Sequence, residues 1–582
     1  VVDVPGHERL VRTMVAGATG IDLVLLVVAA DEGVMPQTRE HVAICELLGI
    51  TRGVVALTKI DIAEPDVAEL AAEEAALLLV DTPLAGAPVV PVSGVSEEGL
   101  GELRRALREL VADAAPRTPR RGPPRLNVDR CFAAKGFGCV VTGTLVGASF
   151  GVGDSVEIQP RGRTARVRGL QHHGVSSKRG EPGVRCALNL QGVEVADVSR
   201  GDVVSAPGAL LPTRTADLKL WWLAAAGPVE DRAAVEFLLG TAERRAHIAA
   251  IGAPGFEPGR AGFARVHLDG EPLAMLPGDR FIVRGFSRTD AGGSTLGGGV
   301  VLDIAPPRRR RSDPGLSEDL AALARGESEA GLLVRIRRSG LAGVALETLG
   351  RETGQGTADL HKALAAVAER GHAVASARGT WLSVEAAGVL EERMLRALDA
   401  YHVAEPLRQG MPVGTLRAKL PENVPPDVAL LASERLMDRG DIAIEDDIAR
   451  RTNHAPTLGQ RDAALVDRIC EDARAAGLEP PSERDWAQRL GTSREHLQDL
   501  LAYLKREGRL VCAPGDLWFD ADTIGALRAK IVAYFEVSER LDTLQYKALI
   551  GTSRRTAVPL MEYFDDEHLT TRSGDARILR GG

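Results

Sequence analysis

The 582 residues predict a multidomain chain: an α/β domain built on a parallel sheet, then two antiparallel β-barrels, then a tandem array of four small helix-and-hairpin modules. Three observations predict this. Apolar runs alternate with helical periodicity at the start. Short Val-rich segments broken by glycine fill the middle, and a helix-plus-hairpin unit recurs through the remainder.

The alternation is clearest over residues 1–115. Apolar runs at Leu23–Ala30, Val54–Leu57 and Val89–Val92 read as parallel strands. Helical patterns at Glu8–Ala18, Gln37–Leu48, Val67–Val80 and Glu97–Val111 lie between and after them. The Pro/Arg stretch Ala115–Arg125 is a linker that cannot be helical. From Leu126 the spacing becomes that of antiparallel strands, with a break near Ala206–Pro212 that gives barrels over 126–206 and 213–305. In that stretch Val140–Thr144 reads as a strand and turn. A second linker, Pro306–Pro314, closes the block.

One unit runs helix, Arg-Gly, short strand, turn, short strand (LAAVAERGHAVASARGTWLS), and it recurs. Its shared glycines are Gly371, Gly440 and Gly508, and a fourth copy places Glu567 in that slot. This period resembles tandem winged-helix domains, expected over 315–385, 386–452, 456–522 and 523–582. A helical array with no ligand would look the same.

Composition narrows the class. With 45% apolar and 26% charged residues the chain is close to an average globular protein with several cores. No apolar run approaches the roughly 20 residues of a spanning helix, so a soluble, cytosolic protein with no membrane association is expected. Six scattered cysteines with no C-x-x-C pair argue against a disulfide framework or a zinc site. The net charge of −9 divides into about −11 over residues 1–115, +10 over 116–312 and −8 over 313–582. A basic middle suits a polyanionic partner.

Three strings carry chemistry. In Val1–Glu8 (VVDVPGHE) a strand ends at Asp3, where a carboxylate is placed to hold magnesium, directly or through water. Gly6 lets a terminal phosphate approach its N–H, and His7 is placed to orient an attacking water. An ordinary strand-to-helix turn would have the same composition. Thr58–Asp61 (TKID) and Pro91–Gly94 (PVSG) each follow a strand. Asp61 can accept both N–H groups of a guanine edge while the stem of Lys59 covers the base, and Ser93 with the backbone of Gly94 can contact the guanine oxygen.

Together these strings resemble the nucleotide motifs of translational GTPases, with Thr58 where that family usually has Asn. The resemblance implies a P-loop GTPase domain, GTP and Mg2+ as cofactors, and His7 as the catalytic residue. No G-x-x-x-x-G-K-[ST] occurs in the 582 residues. A sequence cut short at its N-terminus and a GTPase that has lost the loop are both open, and the mid-strand start at Val1 favours the first. As it stands, the chain is expected to bind GTP poorly.

Val128–Asp154 and Gly278–Asp303 resemble the two barrels of elongation factor Tu-like proteins, which hold the acceptor arm of a charged tRNA. Leu541–Leu579 resembles the last winged helix of the bacterial selenocysteine-specific elongation factors, and the order of parts matches that family along the whole chain. The resemblance implies a GTP-dependent carrier of selenocysteinyl-tRNA that works at UGA codons on the ribosome. It also implies a monomer tethered to an adjacent mRNA hairpin. Lys547, Arg554, Arg555 and Arg572 lie where the last module would meet that hairpin, although residues 541–582 have zero net charge. Pairing of these arginines with Asp565, Asp566 and Glu567 is the alternative. An anionic selenol would be told from a neutral hydroxyl by a cationic pocket, for which Arg130, beside Asp129, and Arg185 are candidates, unless they form structural ion pairs. A different class remains open: an RNA-binding or regulatory protein with a degenerate GTPase domain.

Overall fold

In the first strands the burial pattern already fixes the layers. Val24–Ala29 (β1), Gly53–Thr58 (β2) and Val89–Pro91 (β3) pair in parallel in the order β1–β2–β3, Ala29 opposite Thr58 and Val55 opposite Val89. Every residue from Gly53 to Leu57 is buried, as expected for a central strand covered on both faces. Val55 and Leu57 pack toward helices Pro36–Leu47 (α1) and Pro65–Leu79 (α2), while Val54 and Ala56 pack against Leu100–Ala112 (α3). Proline opens α1 and α2, where its missing N–H costs nothing. The structure, a computed structural model, describes Asp3, Val15 and residues 21–113, 122–134, 138–287 and 294–580. Gly6 and His7 lie outside the described residues.

The chain divides into two compact units, Val1–Val384 and Glu385–Gly582. In the first, the sheet is followed by two closed rings of six antiparallel strands. Arg125–Asn127 (β4), Arg130–Ala134 (β5), Gly138–Val146 (β6), Ser155–Gln159 (β7), Arg163–His172 (β8), Arg185–Gln191 (β9) and Val203–Ser205 (β10) build the first. Its order is β8–β9–β6–β4–β10–β7, closed by β7 on β8, with β5 pairing β6 outside the ring. The expected turn within Val140–Thr144 is absent: β6 runs straight through, because Gly143 lets the Asn127 carbonyl lie where a Cβ would come within 2.1 Å of it.

The second ring comprises Thr215–Trp222 (β11), Arg232–Leu239 (β12), Ala242–Ile251 (β13), Ala261–Leu268 (β14), Arg280–Arg284 (β15) and Thr295–Asp303 (β16). Its order is β11–β14–β13–β12–β15–β16. Phe237 and Phe281 stack in its core with centroids 5.0 Å apart. Polar ties set the three bodies against one another. Arg125 grips Asp279 with two hydrogen bonds of 2.7 and 2.8 Å between the barrels. Glu40 on α1 accepts from the Thr295 hydroxyl at 2.6 Å and from the backbone N–H of Ser294 and Thr295.

The helix-rich part consists of four winged helices. In the first, Pro314–Ala324 (α4), Ser328–Arg338 (α5), Leu346–Thr353 (α6) and Thr357–Glu369 (α7) precede a hairpin of Ala373–Ala375 with Thr380–Ser383. Arg338 on α5 bridges Asp303 of β16 and Glu352, which ties this module to the second barrel. The second unit begins within Val384–Ala404 (α8). There follow Val413–Arg417 (α9) and Pro426–Asp438 (α10), then Gln460–Ala476 (α11), Glu483–Leu490 (α12) and Arg494–Arg506 (α13). Ala521–Phe535 (α14), Thr543–Ile550 (α15) and Arg554–Asp566 (α16) complete the last module, and each set ends in a two-stranded hairpin. The third module lacks the small extra strand that the other three add to their hairpins, among the described residues.

The slot assigned to Glu567 needs correction. Gly371, Gly440 and Gly508 take φ of 72°, 74° and 68° just past their helix caps, and in the last module this conformation falls to His568 at 60°. Glu567 is the C-cap and remains right-handed. The left-handed turn must come one residue beyond the cap, and His tolerates that region better than most non-glycine residues.

Candidate nucleotide site and RNA interface

Parallel pairing places the C-terminal ends of β1, β2 and β3 side by side, where open α/β sheets bind ligands. At the end of β2, Thr58 donates its hydroxyl to the Val28 carbonyl of β1 at 3.3 Å, so this side chain ties two strands together. Lys59 follows with φ of 62°, and its ammonium reaches Asp31 and Glu32, both at 3.1 Å, in the loop after β1. The hydrogen bonds that Lys59 donates to those two carboxylates raise its pKa above its ordinary value. The pair fixes the aliphatic stem, the part expected to cover a base. Sequence reading missed Asp31 and Glu32, although they stand at a strand end just as Thr58–Asp61 do.

Asp61 is exposed and has no partner among the described residues. Ser93 is fully buried. Its hydroxyl accepts the N–H groups of Val95 and Ser96 at 3.1 and 3.0 Å, and its own N–H goes to the Glu98 carbonyl. Ser93 therefore shapes the loop, and the adjacent exposed Gly94 presents its N–H without a protein acceptor among the described residues. A free carboxylate, an anchored lysine stem and a free amide fit the edge, face and oxygen of a guanine. Asp3 is exposed and outside any strand, with its neighbours beyond the described residues.

On the first barrel, Arg185 meets Asp129 at 2.8 Å, and the Thr142 hydroxyl donates to the same carboxylate at 2.5 Å. Cross-strand register explains this: Arg130 lies opposite Thr142 on β6 and Arg185 opposite Thr144, which puts these residues on the outer face of the ring. Arg185 remains about half exposed, and Arg130 is exposed with no carboxylate partner among the described residues. Of the two candidates, Arg185 forms the ion pair and Arg130 does not.

In the last winged helix, Asp542 and Gln545 form a reciprocal cap at the start of α15, and Gly551 at φ of 70° ends it. The turn Gly551–Ser553 then opens α16, which begins with Arg554 and Arg555. Glu479 accepts from the Ser553 N–H and the Thr552 hydroxyl, both at 3.1 Å, and the Ser553 N–H above all holds its carboxyl below the ordinary range. Asp565 is taken by Arg577 at 2.9 Å and by the Thr570 hydroxyl at 2.6 Å. Lys547, Arg554, Arg555 and Arg572 form no salt bridge among the described residues, although Arg555 acts on Glu479 through space; Arg572 donates only to the Gly574 carbonyl. These four cations thus stand outside salt bridges in a module of zero net charge.

A nucleotide-type sheet, two six-stranded barrels and tandem winged helices define the class of elongation factor Tu-like translation factors with a winged-helix extension. Residues 1–113 match the family profile described as Elongation factor Tu GTP binding domain. Residues 216–308 match Selenocysteine-specific elongation factor, beta-barrel domain, and residues 395–450 and 533–579 match Elongation factor SelB, winged helix. The selenocysteine-specific elongation factor of Desulfomicrobium baculatum is 35% identical over 583 residues, covering 100% of this chain and 91% of the relative. That of Escherichia coli (strain K12) is 28% identical, covering 100% and 90%. The crystal structure of bacterial selenocysteine-specific elongation factor EF-Sec shares the fold at 23% identity, with a TM-score of 0.66 over 100% of this chain and 90% of that one. The chain belongs to the selenocysteine-specific elongation factors, and is a translation factor with a GTPase domain that serves selenocysteine incorporation.

Proposed function

We propose that the protein delivers selenocysteinyl-tRNA to the ribosome at UGA codons in a GTP-dependent way, tethered to a neighbouring mRNA hairpin by its last winged helix. The observation that carries this reading is the set of four cations outside any salt bridge among the described residues, Lys547, Arg554, Arg555 and Arg572, in a module whose Asp565 is neutralised internally by Arg577. Guanidinium groups beside a helix start suit a phosphate backbone, and a compact hairpin with splayed bases suits such recognition.

The barrels would carry the charged tRNA, with Asp129, Arg130 and Arg185 facing the amino acid. A selenolate is an anion and a seryl hydroxyl is not, so a guanidinium held by Asp129 favours the former. In the nucleotide site, Asp61, Lys59 and Gly94 would hold guanine, with Thr58 and Ser93 shaping the loops around it. Asp3 would hold Mg2+ through water, and the ion supplies charge stabilisation to the phosphates when bound. His7 would orient the attacking water. The 582 residues contain no G-x-x-x-x-G-K-[ST] loop and on that account bind GTP weakly; calorimetry showing micromolar binding would refute this. The protein works in the cytoplasm as a monomer. No helix among the described residues is long and apolar enough to cross a membrane.

A gel shift across a salt series, with a UGA-adjacent hairpin and a scrambled control, tests the tether. Preference for the hairpin at every salt concentration is expected. Equal binding to both RNAs would overturn it.

A further inference from the structure

The third winged helix carries the same four residues at its helix turn as the last one. Gly491-Thr492-Ser493-Arg494 precedes and opens α13 as Gly551-Thr552-Ser553-Arg554 does α16. Both glycines end a helix in the left-handed region, at φ of 63° and 70°, and both serines are N-caps. Nothing in the proposed tether uses the third module, yet Arg494 of its copy of the turn shares a cleft with Arg555 of the last module. A cleft of about 340 Å³ opens between the two modules, lined by Arg484 and Arg494 from the third and by Arg555 and Pro559 from the last. The tip of the third module's hairpin, Pro514–Leu517, forms a further wall.

The charges of this cleft are arranged, not merely present. Glu483 is its buried carboxylate, 8% exposed, and it is spent inward on the Arg494 Nε at 3.3 Å, Gln498 at 3.0 Å and the Trp518 ring N–H at 3.3 Å. It therefore positions Arg494 by one nitrogen and leaves the two terminal amino groups of that guanidinium for another acceptor. Arg484 and Arg555 are exposed and form no salt bridge among the described residues; Arg484 acts on Asp485 and Arg555 on Glu479 through space only, which leaves their donors for another acceptor. The remaining opposing charge in the lining is Asp516 at the hairpin tip, held at φ of 56°.

The walls are fixed with respect to one another. Ala513, Leu517 and Phe519 of the third module's hairpin lie in one apolar cluster with Leu541, Tyr546, Leu560 and Phe564 of the last. Glu479, between α11 and α12 of the third module, caps the turn before α16. A cationic cleft held this rigidly loses little conformational freedom when an extended anion enters.

We propose that the RNA surface of the last winged helix continues into this cleft, where Arg484 and Arg494 join Arg555 to hold a second stretch of RNA backbone. Forked guanidinium groups match phosphodiester oxygens, and the Trp518 indole spends its N–H on Glu483, so the contact is to backbone and not to base edges. This rests on the reading that the last winged helix binds the hairpin.

The test uses the full chain and a fluorescein-labelled RNA hairpin taken from beside an in-frame UGA codon, followed by anisotropy from 50 to 300 mM KCl. In the double variant Arg484→Ala/Arg494→Gln, glutamine keeps a donor for Glu483. Its affinity is expected to fall about tenfold, and its log–log salt slope to become shallower by about 1.4 to 1.8, the signature of two lost phosphate contacts. Asp516→Asn keeps a residue suited to the left-handed region and removes the opposing charge, so it is expected to tighten binding about threefold. That gain does not depend on the double variant folding well. Unchanged affinity and slope in the double variant, or no gain from Asp516→Asn, overturns the inference. If Arg554→Ala still weakens binding in that case, the tether itself stands. If Arg554→Ala also has no effect, the underlying reading fails with it.

Discussion

The pairing of Arg125 with Asp279 gives the sharpest energetic prediction. The two side chains lie 154 residues apart in sequence and join β4 of the first barrel to the start of β15 of the second, with bonds of 2.7 and 2.8 Å. Both are about 7% exposed. Asp279→Asn keeps the shape and the acceptor for the Leu276 N–H but removes the charge, so it strands a guanidinium between the barrels. Breaking one side of a buried pair costs about 3–5 kcal/mol, whereas replacing both partners is often neutral. The double variant Arg125→Met/Asp279→Asn is therefore expected to recover at least half of that loss. Hydrogen exchange by mass spectrometry reads the opening free energy of peptides from each barrel, which avoids treating so large a chain as two-state. A loss below about 1 kcal/mol for Asp279→Asn, or a double variant no better than the single, would refute the argument.

Arg185→Ala should reduce the preference for selenocysteinyl- over seryl-tRNA about tenfold in a competition binding assay, a modest effect because the side chain is half exposed; an unchanged ratio removes Arg185 from the pocket. Arg554→Ala should weaken hairpin binding and make its salt slope shallower by about one, read by filter binding. Tyr546 is fully buried with no partner for its hydroxyl among the described residues, so Tyr546→Phe should stabilise the last module by about 1 kcal/mol in urea unfolding without changing RNA affinity. His402 stacks on His454 at 3.5 Å and accepts from the Arg451 N–H; burial first, then His454, lowers its pKa, with Asp399 opposing and Arg451 adding a smaller push downward. The unfolded chain then binds the proton more readily, so stability of the second unit is full above pH 6.5 and declines as pH falls below it. The decline is no more than about 1.4 kcal/mol per pH unit, less solvent screening. Urea midpoints at pH 7.5 and 5.5 should differ for the wild type and converge for His402→Phe.

Sequence alone determined the order of parts and named the candidate site strings. Thr58–Asp61 and Pro91–Gly94 were legible as candidates because strand, turn and polar residue are contiguous, and local periodicity reports contiguous structure. Arg554 and Arg555 were legible for the same reason, since a helix turn is written in four residues.

Only the tertiary structure decided which charges are free. Whether Arg185 or Arg130 pairs with Asp129, whether Asp565 answers to Arg577 or to Arg572, and whether Ser93 faces a ligand or its own loop depend on side chains that strand register and helix packing bring together. The ties of Glu40 to Thr295 and of Arg125 to Asp279 span 255 and 154 residues, and such pairs leave no periodic trace in a single chain. Periodicity records which face of an element is buried, but a folded charge is set by its nearest partner, and that partner is chosen by the packing of distant segments.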